Sequence, residues 1–368
     1  MTEQAGLDPV YRRLAERLDR LPEGFPPTSS GVELRLLAHL FTPEEAALVA
    51  ELNLEPETAP EIAQRTGRDG RQVRQMLKDL VRRGLITAER TPRGLGYALL
   101  PFVVGIYEMQ GSRIDRTLAE LFEAYYHEAF GRIAAVYPPV HRVIPVQKSL
   151  QTELNVQPYE NAAEIVRAAQ AWGVLDCVCR KQKALIGQPC GHPLDVCMIL
   201  SQTPGAFDQA EGIRALTLEE ALATLQRAAD AGLVHSVSNS REDLWYICNC
   251  CTCSCGILRG MVDLGLSGVV ASSGFVSQVD EGACIACGVC AETCPFTAIT
   301  VEDVARIDAL RCAGCGLCVP ACPASALSLV RRPEAGPDTL PADLAEWRQR
   351  RARTRGLEFP AGEPGAGA

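Results

Sequence analysis

Two cysteine runs near the C-terminal end constrain this chain more than any other feature of its sequence. Both have the spacing C-x2-C-x2-C-x3-C-P, and they occupy Cys284–Pro295 and Cys312–Pro323. The short spacing lets three thiolates of one loop reach three iron atoms of a cube, and small intervening residues let backbone amides approach the sulfides. Zinc sites usually pair two separate C-x2-C knuckles, so two zinc ions suit this pattern poorly. The runs therefore predict two 4Fe–4S clusters.

The doubled run resembles bacterial two-cluster ferredoxins over roughly residues 275–330. In that pattern the fourth cysteine of each run ligates the cluster of the other run. The resemblance also implies that Phe275–Asp280 and Val304–Asp308 form the short strands that pair in this fold, and that the domain moves single electrons. It implies two ligand sets, namely Cys284, Cys287, Cys290 and Cys322 for one cluster, and Cys312, Cys315, Cys318 and Cys294 for the other.

The chain has 17 cysteines, and none precedes Cys177. The Met1 end shows no basic segment followed by an apolar one, so we expect no secretion signal. The longest apolar stretch, Leu95–Tyr107, is too short to span a bilayer. The sequence thus predicts a cytoplasmic protein without a membrane span. Disulfides are rare in that reducing compartment, so the clustered thiols indicate metal or redox chemistry.

The first upstream group consists of Cys177, Cys179, Cys190 and Cys197. We interpret residues 174–179 (VLDCVC) as a strand, in which Cys177 and Cys179 share one face. The following loop would bring Cys190 and Cys197 round to complete four ligands. A 4Fe–4S cluster is the first interpretation, a zinc site the second, and buried free thiols the third. His192 is an optional zinc ligand, but we expect that it does not bind metal.

The second upstream group places five cysteines within eight residues: Cys248, Cys250, Cys251, Cys253 and Cys255. One site needs four ligands at most. In extended backbone, alternation would align residues 251, 253 and 255 on one side and residues 248 and 250 on the other. One cluster with a spare thiol is one interpretation, and ligands shared with the first upstream group are another. Either a 4Fe–4S cluster or zinc suits the group, and a spare thiol would be catalytic or redox-sensing.

The N-terminal part predicts helices followed by a hairpin. Thr42 is followed directly by a proline, and Thr58 is followed by a proline two residues later. A glutamate lies three residues after each threonine, and this combination marks the start of a helix. A third helix is predicted over Gly70–Arg83, and two strands flank Pro92–Gly94. This order resembles a winged-helix domain, whose third helix would enter the major groove of DNA. Residues 58–98 carry nine Lys or Arg and four acidic residues, in a chain of net charge −9. DNA binding is one interpretation, and a protein–protein or scaffold role is favoured over it.

The whole sequence predicts an α+β multidomain fold. The expected domains are an N-terminal helix and linker (1–30), a winged-helix-like domain (31–110), a mixed α/β cysteine-rich middle domain (111–274), a ferredoxin-like dicluster domain (275–330) and a mostly disordered tail with one short helix (331–368). This organisation resembles large multidomain ferredoxin-like proteins of anaerobic bacteria. The resemblance rests on Leu99–Glu108, Asp176–Arg180, Cys248–Cys251 and Cys284–Pro323, and it supplies no biochemical role.

Three functions are compatible with these patterns. The first is an electron-transfer protein that relays single electrons through two or more 4Fe–4S clusters to or from a partner redox enzyme. The second is a redox-responsive winged-helix transcription regulator. The third is an iron–sulfur enzyme whose cluster at residues 248–255 binds substrate. The chain lacks the glycine-rich nucleotide-binding fingerprints, so no flavin, nicotinamide or ATP site is expected. The sequence does not define the oligomeric state.

Overall fold

The computed structural model describes residues 8–150, 154–266 and 268–358. Its N-terminal part is a set of helices joined to a small sheet. The elements are α1 (Pro9–Asp19), α2 (Val32–Leu40), α3 (Pro43–Val49), β1 (Glu57–Thr58), α4 (Ala59–Thr66), α5 (Gly70–Arg82), β2 (Ile86–Thr91) and β3 (Gly94–Leu99). Strands β2 and β3 form an antiparallel hairpin, and β1 pairs with the other edge of β3.

Local signals set the boundaries of these helices. The Thr42 amide donates to the Glu45 carboxylate, and the Glu45 amide donates to the Thr42 hydroxyl, so α3 starts with a capping box. Thr58 opens α4 in the same way. Gly67 ends α4 with a φ of +66°, a left-handed conformation that favours glycine. The predicted order of three helices and a hairpin is confirmed, and its assignment to the winged-helix fold stays a prediction.

The middle part is built on a seven-stranded sheet in the order β10-β4-β8-β9-β6-β5-β7. All neighbouring strands are antiparallel except β10 and β4. Its elements are α6 (Arg116–Tyr125), α7 (Gly131–Ala134), β4 (His141–Ile144), α8 (Ala162–Ala168), β5 (Ala171–Asp176), α9 (Val178–Leu185), β6 (Asp195–Ser201), β7 (Arg214–Leu216), α10 (Leu218–Asp230), β8 (Val234–Ser238), β9 (Tyr246–Cys250), α11 (Arg259–Asp263) and β10 (Val270–Ala271).

The C-terminal part consists of two short strand pairs that flank the cysteine runs. Its elements are β11 (Phe275–Val279), α12 (Val289–Thr293), β12 (Ile299–Val301), β13 (Ala305–Ile307), α13 (Cys318–Ala321) and β14 (Leu327–Arg331). Strand β11 pairs with β14, and β12 pairs with β13. Each of the two strands expected before a run therefore pairs with a strand that follows the other run, which ties the two runs together.

After β14 the chain returns to the N-terminal helices through α14 (Leu344–Thr354). The side chain of Arg351 is fully buried, and its guanidinium donates to the carbonyl oxygens of Pro22 at 2.9 Å and Pro138 at 2.7 Å. Trp347, also on this helix, is buried too. An arginine enclosed by carbonyl oxygens has its donors satisfied without a counter-ion. Helix α14 is thus a packed element of the fold.

Two expectations about elements are wrong. The part of the tail up to residue 358 packs against the protein, while residues 359–368 lie outside the described residues. The strand expected over residues 174–179 ends at Asp176, because VCRKQKAL after it is rich in straight-chain helix formers.

One apolar core connects the three parts. It extends from Leu14 in α1 through Phe122 in α6 to Cys255, and it continues to Cys312 and Cys315 in the second cysteine run. The second run is therefore packed into the same core as the N-terminal helices. Cys290 of the first run and Cys318 of the second belong to a smaller core within the C-terminal part.

Candidate metal centres

The first cysteine run forms the rim of a small pocket. We call residues 284–290 the exposed loop, because Cys287 is exposed and the Ile285 side chain is 65% exposed. The backbone amide of Ala305 donates to Cys284 Sγ at 3.4 Å. The pocket is lined by four thiols, namely Cys284, Cys287, Cys290 and Cys322. These are the side chains of the first predicted ligand set, so the structure brings that set together around one space.

The second cysteine run lies in the interior. We call residues 312–318 the buried loop, because Cys312, Cys315 and Cys318 are all buried. Burial raises the pKa of Cys315, and the nearby thiolates of Cys318, Cys294 and Cys312 raise it further. Cys294 therefore lies next to the three thiols of the buried loop, as the second predicted ligand set requires. Ser277 Oγ lies 3.2 Å from Cys318 Sγ, a contact of the kind that tunes cluster potentials.

The buried loop fits against the middle part with no room for added side chains. The Val146 amide donates to the Cys315 carbonyl at 2.9 Å. A Cβ atom on Gly316 would lie 2.1 Å from Ser149 Oγ, and Gly316 has a φ of +74°. The corresponding glycine of the exposed loop, Gly288, has a φ of +82° with nothing within 4 Å of such an atom. Equivalent positions thus differ in their surroundings and not in their backbone.

Six cysteines from three separate segments meet inside the middle part, and we call this set the thiol chamber. Two lie at the start of α9, one in β6, two in β9 and one in the turn after β9. Their side chains neighbour one another in the order Cys197, Cys177, Cys179, Cys255, Cys250 and Cys248. Three are buried and three are half-buried. Four thiolates hold one 4Fe–4S cube, so the chamber offers two more than one cube uses.

The chamber borders a cavity of about 70 Å³ that contains several polar side chains. Glu108 reaches it from the Leu99–Glu108 segment, and its carboxylate accepts from the Gly105 amide at 2.7 Å. Burial raises the pKa of Glu108 to about 7. Within the described residues, the hydroxyl of Tyr107 and both ring nitrogens of His141 have no hydrogen-bond partner. Sequence analysis missed all three as cavity residues, although it had singled out the segment that carries Glu108.

Crowding in the chamber opposes the formation of several thiolates. Hydrogen bonds from Cys179 and Cys197 lower the pKa of Cys177. Hydrogen bonding to Cys177 raises the pKa of Cys179 and of Cys197. Arg180 is the buried cation beside these thiols, and it donates to the Asn249 carbonyl at 2.6 Å. Several buried thiolates repel one another and need a cation nearby to compensate their charge. Iron ions of a cluster supply such positive charge, and the six thiols are a suitable donor set for them.

Glu123 connects the three helices around the chamber. Its carboxylate accepts from both terminal nitrogens of Arg259, at 2.9 and 2.7 Å, and from Gln182 and Lys183. Burial raises the pKa of Glu123, but the hydrogen bonds and charge of Arg259 outweigh it and lower the pKa to about 2. Arg259 is buried and stacks 3.7 Å from the ring centre of Tyr126. This network fixes α6, α9 and α11, and α9 begins within the chamber.

A second group of side chains lies beside the chamber, and we call it the outer group. It consists of Cys190, His192, Cys251 and Cys253, whose ligand atoms all lie within 4.8 Å of one another. Although burial raises it, hydrogen bonds headed by that of Ser254 lower the pKa of Cys190 to about 6. Burial and the neighbouring Cys251 raise the pKa of Cys253 to about 12. The thiolate of Cys190 thus forms readily, whereas formation of the Cys253 thiolate is disfavoured.

The upstream cysteines are grouped differently from their order in the sequence. Cys190 is separated from Cys177, Cys179 and Cys197, so the first upstream group does not form one site. Cys255 joins Cys248 and Cys250, against the expected alternation, because extended backbone ends at Cys250 and the Cys255 amide donates to the Cys251 carbonyl in a turn. His192 lies beside three thiols of the outer group, and the expectation that it does not bind metal stays a prediction. Thiols of both upstream groups lie together in the chamber and in the outer group, which is the arrangement that shared ligands would need, and their role as ligands stays a prediction.

Comparison with known proteins identifies one part of the chain. Residues 283–326 match the family model of the 4Fe-4S dicluster domain. No curated protein and no solved structure matches the chain significantly. The chain therefore carries a ferredoxin-type dicluster domain, which implies 4Fe–4S clusters, next to a further cysteine-rich site. Among the described residues, no helix is long and apolar enough to cross a membrane.

Proposed function

We propose that this chain is an electron-transfer protein that relays single electrons between a partner redox enzyme at the exposed loop and the thiol chamber, through the two clusters of the dicluster domain. The observation that carries the proposal is the unequal burial of the two loops. The exposed loop presents Ile285 and Cys287 to solvent, whereas the buried loop packs into the core that contains Cys255 of the chamber. The cluster of the exposed loop would exchange electrons with the partner, and the cluster of the buried loop would exchange electrons with the interior of the protein.

The two ligand sets follow the crossed pattern. Cys284, Cys287, Cys290 and Cys322 would hold the outer cluster, and Cys312, Cys315, Cys318 and Cys294 the inner one. Amides of Ala298 and Ala326 donate to Cys294 Sγ and Cys322 Sγ, both at 3.3 Å. Hydrogen bonds of this kind stabilise thiolate ligands and raise the potential of a cluster. Each fourth cysteine therefore already has the environment of a ligand.

The thiol chamber would hold a further 4Fe–4S cluster. Its six side chains are Cys177, Cys179, Cys197, Cys248, Cys250 and Cys255, and the network around Glu123 keeps their helices in place. Two thiols beyond the four that a cube uses would remain beside the cavity that Glu108 lines. A cluster placed there is enclosed by apolar surface, which excludes water and influences the potential.

An acidic rim surrounds the exposed loop and suits a partner with a basic surface. Glu281 precedes the loop and Glu292 follows it on α12, while Glu302 and Asp303 lie in the turn just before Ala305, whose amide contacts Cys284. All four side chains are exposed. Opposite charge steers association and is screened by salt, so electron exchange with such a partner should slow as ionic strength rises.

Iron and acid-labile sulfide per chain, measured on anaerobically prepared protein together with EPR of the reduced form, test the proposal. We expect about twelve irons, four for each of three cubes. A variant in which Cys177, Cys179, Cys250 and Cys255 are all replaced by serine leaves two chamber thiols, so it should lose about four irons and keep the spectrum of the two dicluster clusters. About eight irons in the unsubstituted protein would limit electron transfer to the dicluster domain. A content near zero after reconstitution would overturn the proposal.

A redox-responsive regulator is the second candidate, and one observation favours it. Arg71, Arg74 and Lys78 lie on the exposed face of α5. The other basic residues of this part are mostly neutralised, because five of the nine form ion pairs, namely Arg65 with Glu57, Arg68 with Glu51, Arg82 with Asp79, Arg83 with Glu45 and Arg93 with Glu61. The remaining basic face is narrow, so electron transfer is the better-supported function.

Binding of the full chain to duplex DNA at low salt tests this candidate. Replacement of Arg71, Arg74 and Lys78 by glutamate should abolish binding if α5 contacts the phosphate backbone. Arg167→Glu, a change on the exposed surface of α8, is the control and should have no effect. If the unsubstituted chain binds no duplex at low salt, the regulator hypothesis is wrong.

A further inference from the structure

The outer group has the dimensions of a site for one metal ion. Its four ligand atoms, the thiol sulfurs of Cys190, Cys251 and Cys253 and a ring nitrogen of His192, all lie within 4.8 Å of one another. Zinc–sulfur bonds of about 2.3 Å in a tetrahedron place ligand atoms about 3.8 Å apart. The contact between Cys253 Sγ and His192 Nδ1 is 3.9 Å. Small side-chain adjustments would bring the whole set to zinc distance.

A cube needs a different arrangement. It holds each thiolate on a different iron atom, so its ligands stand further apart than the ligands of a single ion. In the part of the chain that the structure describes, the outer group is the one set of cysteine, histidine and acidic side chains with such short mutual distances. The dicluster cysteines, which belong to a cluster-binding family, do not form such a set. The spacing therefore separates a mononuclear site from the cluster sites.

The donor types and the surroundings also fit zinc. Three thiolates and one imidazole form one of the common ligand sets of structural zinc sites, and such sites are closed by four protein ligands. Ser254 Oγ donates to Cys190 Sγ at 3.4 Å and lies 3.8 Å from Cys253 Sγ. Partners of this kind orient the ligands of a metal and are themselves part of the site. Cys251 is buried and Cys253 is exposed, so the site lies at the surface.

We propose that Cys190, His192, Cys251 and Cys253 bind one zinc ion with a structural role. The ion would join the loop between α9 and β6 to the turn that follows β9. That turn also leads to Cys255 of the thiol chamber, and Cys251 of the outer group borders the chamber cavity next to Cys250. The zinc site would thus fix the backbone from which two chamber thiols project, without itself carrying electrons.

Metal analysis of the full chain tests this inference. The protein is expressed with zinc and iron in the medium, purified without oxygen, and examined by elemental analysis and by X-ray absorption at the zinc edge. We expect about one zinc per chain, with three sulfur neighbours at about 2.3 Å and one nitrogen at about 2.0–2.1 Å. In His192→Ala and Cys253→Ser, zinc retention against a chelator should fall at least about tenfold while the iron content stays unchanged.

Two further variants make the result specific. His192→Cys keeps four donors and should retain zinc, now with four sulfur neighbours. His39→Ala changes an exposed histidine on α2, outside the site, and should leave zinc and iron as they are. Less than about a tenth of a zinc per chain in the unsubstituted protein, or a zinc content insensitive to the site variants, would overturn the inference. Loss of iron in Cys253→Ser would also overturn it, because the thiol would then belong to a cluster.

The inference does not depend on the proposed electron relay. The relay is judged by iron and the outer group by zinc. A protein with eight irons and one zinc would fail the proposal of a cluster in the chamber and still support the zinc site.

Discussion

The exposed loop and the buried loop have the same cysteine spacing, the same glycine after the second cysteine and the same proline after the fourth. Their surroundings nevertheless differ at almost every position. Residues 284–290 border a pocket that opens to solvent, whereas residues 312–318 contact Val146 and Ser149 of the middle part. The spacing of the cysteines determines which thiols can share a cluster. The packing around each loop determines whether that cluster is accessible to a partner or enclosed by the protein.

The residue before the second cysteine of each run shows how the surroundings of the two loops differ. It is Ala286 in the exposed loop, with a φ of +53°, and Gly314 in the buried loop, with a φ of +69°. An alanine is tolerated where solvent surrounds it, whereas a Cβ on Gly314 would lie 2.1 Å from the carbonyl oxygen of Phe275. The two loops are therefore fitted to an outward and an inward position.

The largest expected effect is the loss of one cluster when the fourth cysteine of either run is replaced by serine. Cys294→Ser should remove the cluster of the buried loop and leave that of the exposed loop, because Cys294 lies beside the buried thiols. Cys322→Ser should do the reverse. Each variant should lose about four irons. The surviving cluster of Cys294→Ser should react faster with a water-soluble oxidant than that of Cys322→Ser, followed by bleaching of the visible absorbance. Equal bleaching rates would contradict the unequal exposure of the loops.

A smaller effect is expected from the matched glycines. Gly316→Ala adds a methyl group against Ser149 in a left-handed backbone, so overpacking of about 1–3 kcal/mol adds to strain of about 1–2 kcal/mol. Gly288→Ala meets no neighbour and should cost only the strain. Anaerobic denaturant unfolding of the two variants measures the free energies. If both variants lose the same stability, the buried loop is not packed against the middle part as described.

The smallest effect is expected from the acidic rim. Reversal of Glu302 and Asp303 to lysine should slow reduction by the radical cation of a reduced viologen about two- to tenfold at low salt, because electrostatic steering is lost. The difference should disappear at about 1 M salt, where the Debye length is about 3 Å. Glu164→Lys, on the surface of α8, is the control. Stopped-flow kinetics gives the rates, and an unchanged rate at low salt would place electron entry elsewhere.

The parts of the molecule that sequence analysis predicted are those defined by neighbouring residues. The capping boxes at Thr42 and Thr58, the β2–β3 hairpin and the two cysteine runs each depend on contacts within a few residues, which spacing describes directly. The thiol chamber depends on the folding of three distant segments, so the positions of Cys177 and Cys255 could be grouped only by proximity along the chain. That grouping separated residues that are in contact and joined residues that are not.

The contacts of His192 and of α14 could not be derived from the sequence, for specific physical reasons. His192 gives no periodic or spacing signal that connects it to Cys251 and Cys253, since these residues meet only after the loop between α9 and β6 has folded over the turn after β9. Helix α14 is rich in arginine, a composition that is typical of solvated segments. The structure satisfies Arg351 with carbonyl oxygens in the interior, and such a partner set is invisible in the sequence.

The return of α14 to the first helices affects how electrons would cross the molecule. The dicluster domain is held at both of its ends, and the Arg332 amide donates to the Gly274 carbonyl where the chain enters and leaves it. A module on a single flexible tether must find its docked position again after each excursion. A module that is held at both ends stays in its docked position. The centres would keep a constant separation from one turnover to the next, and only the arrival of the partner would be limited by diffusion.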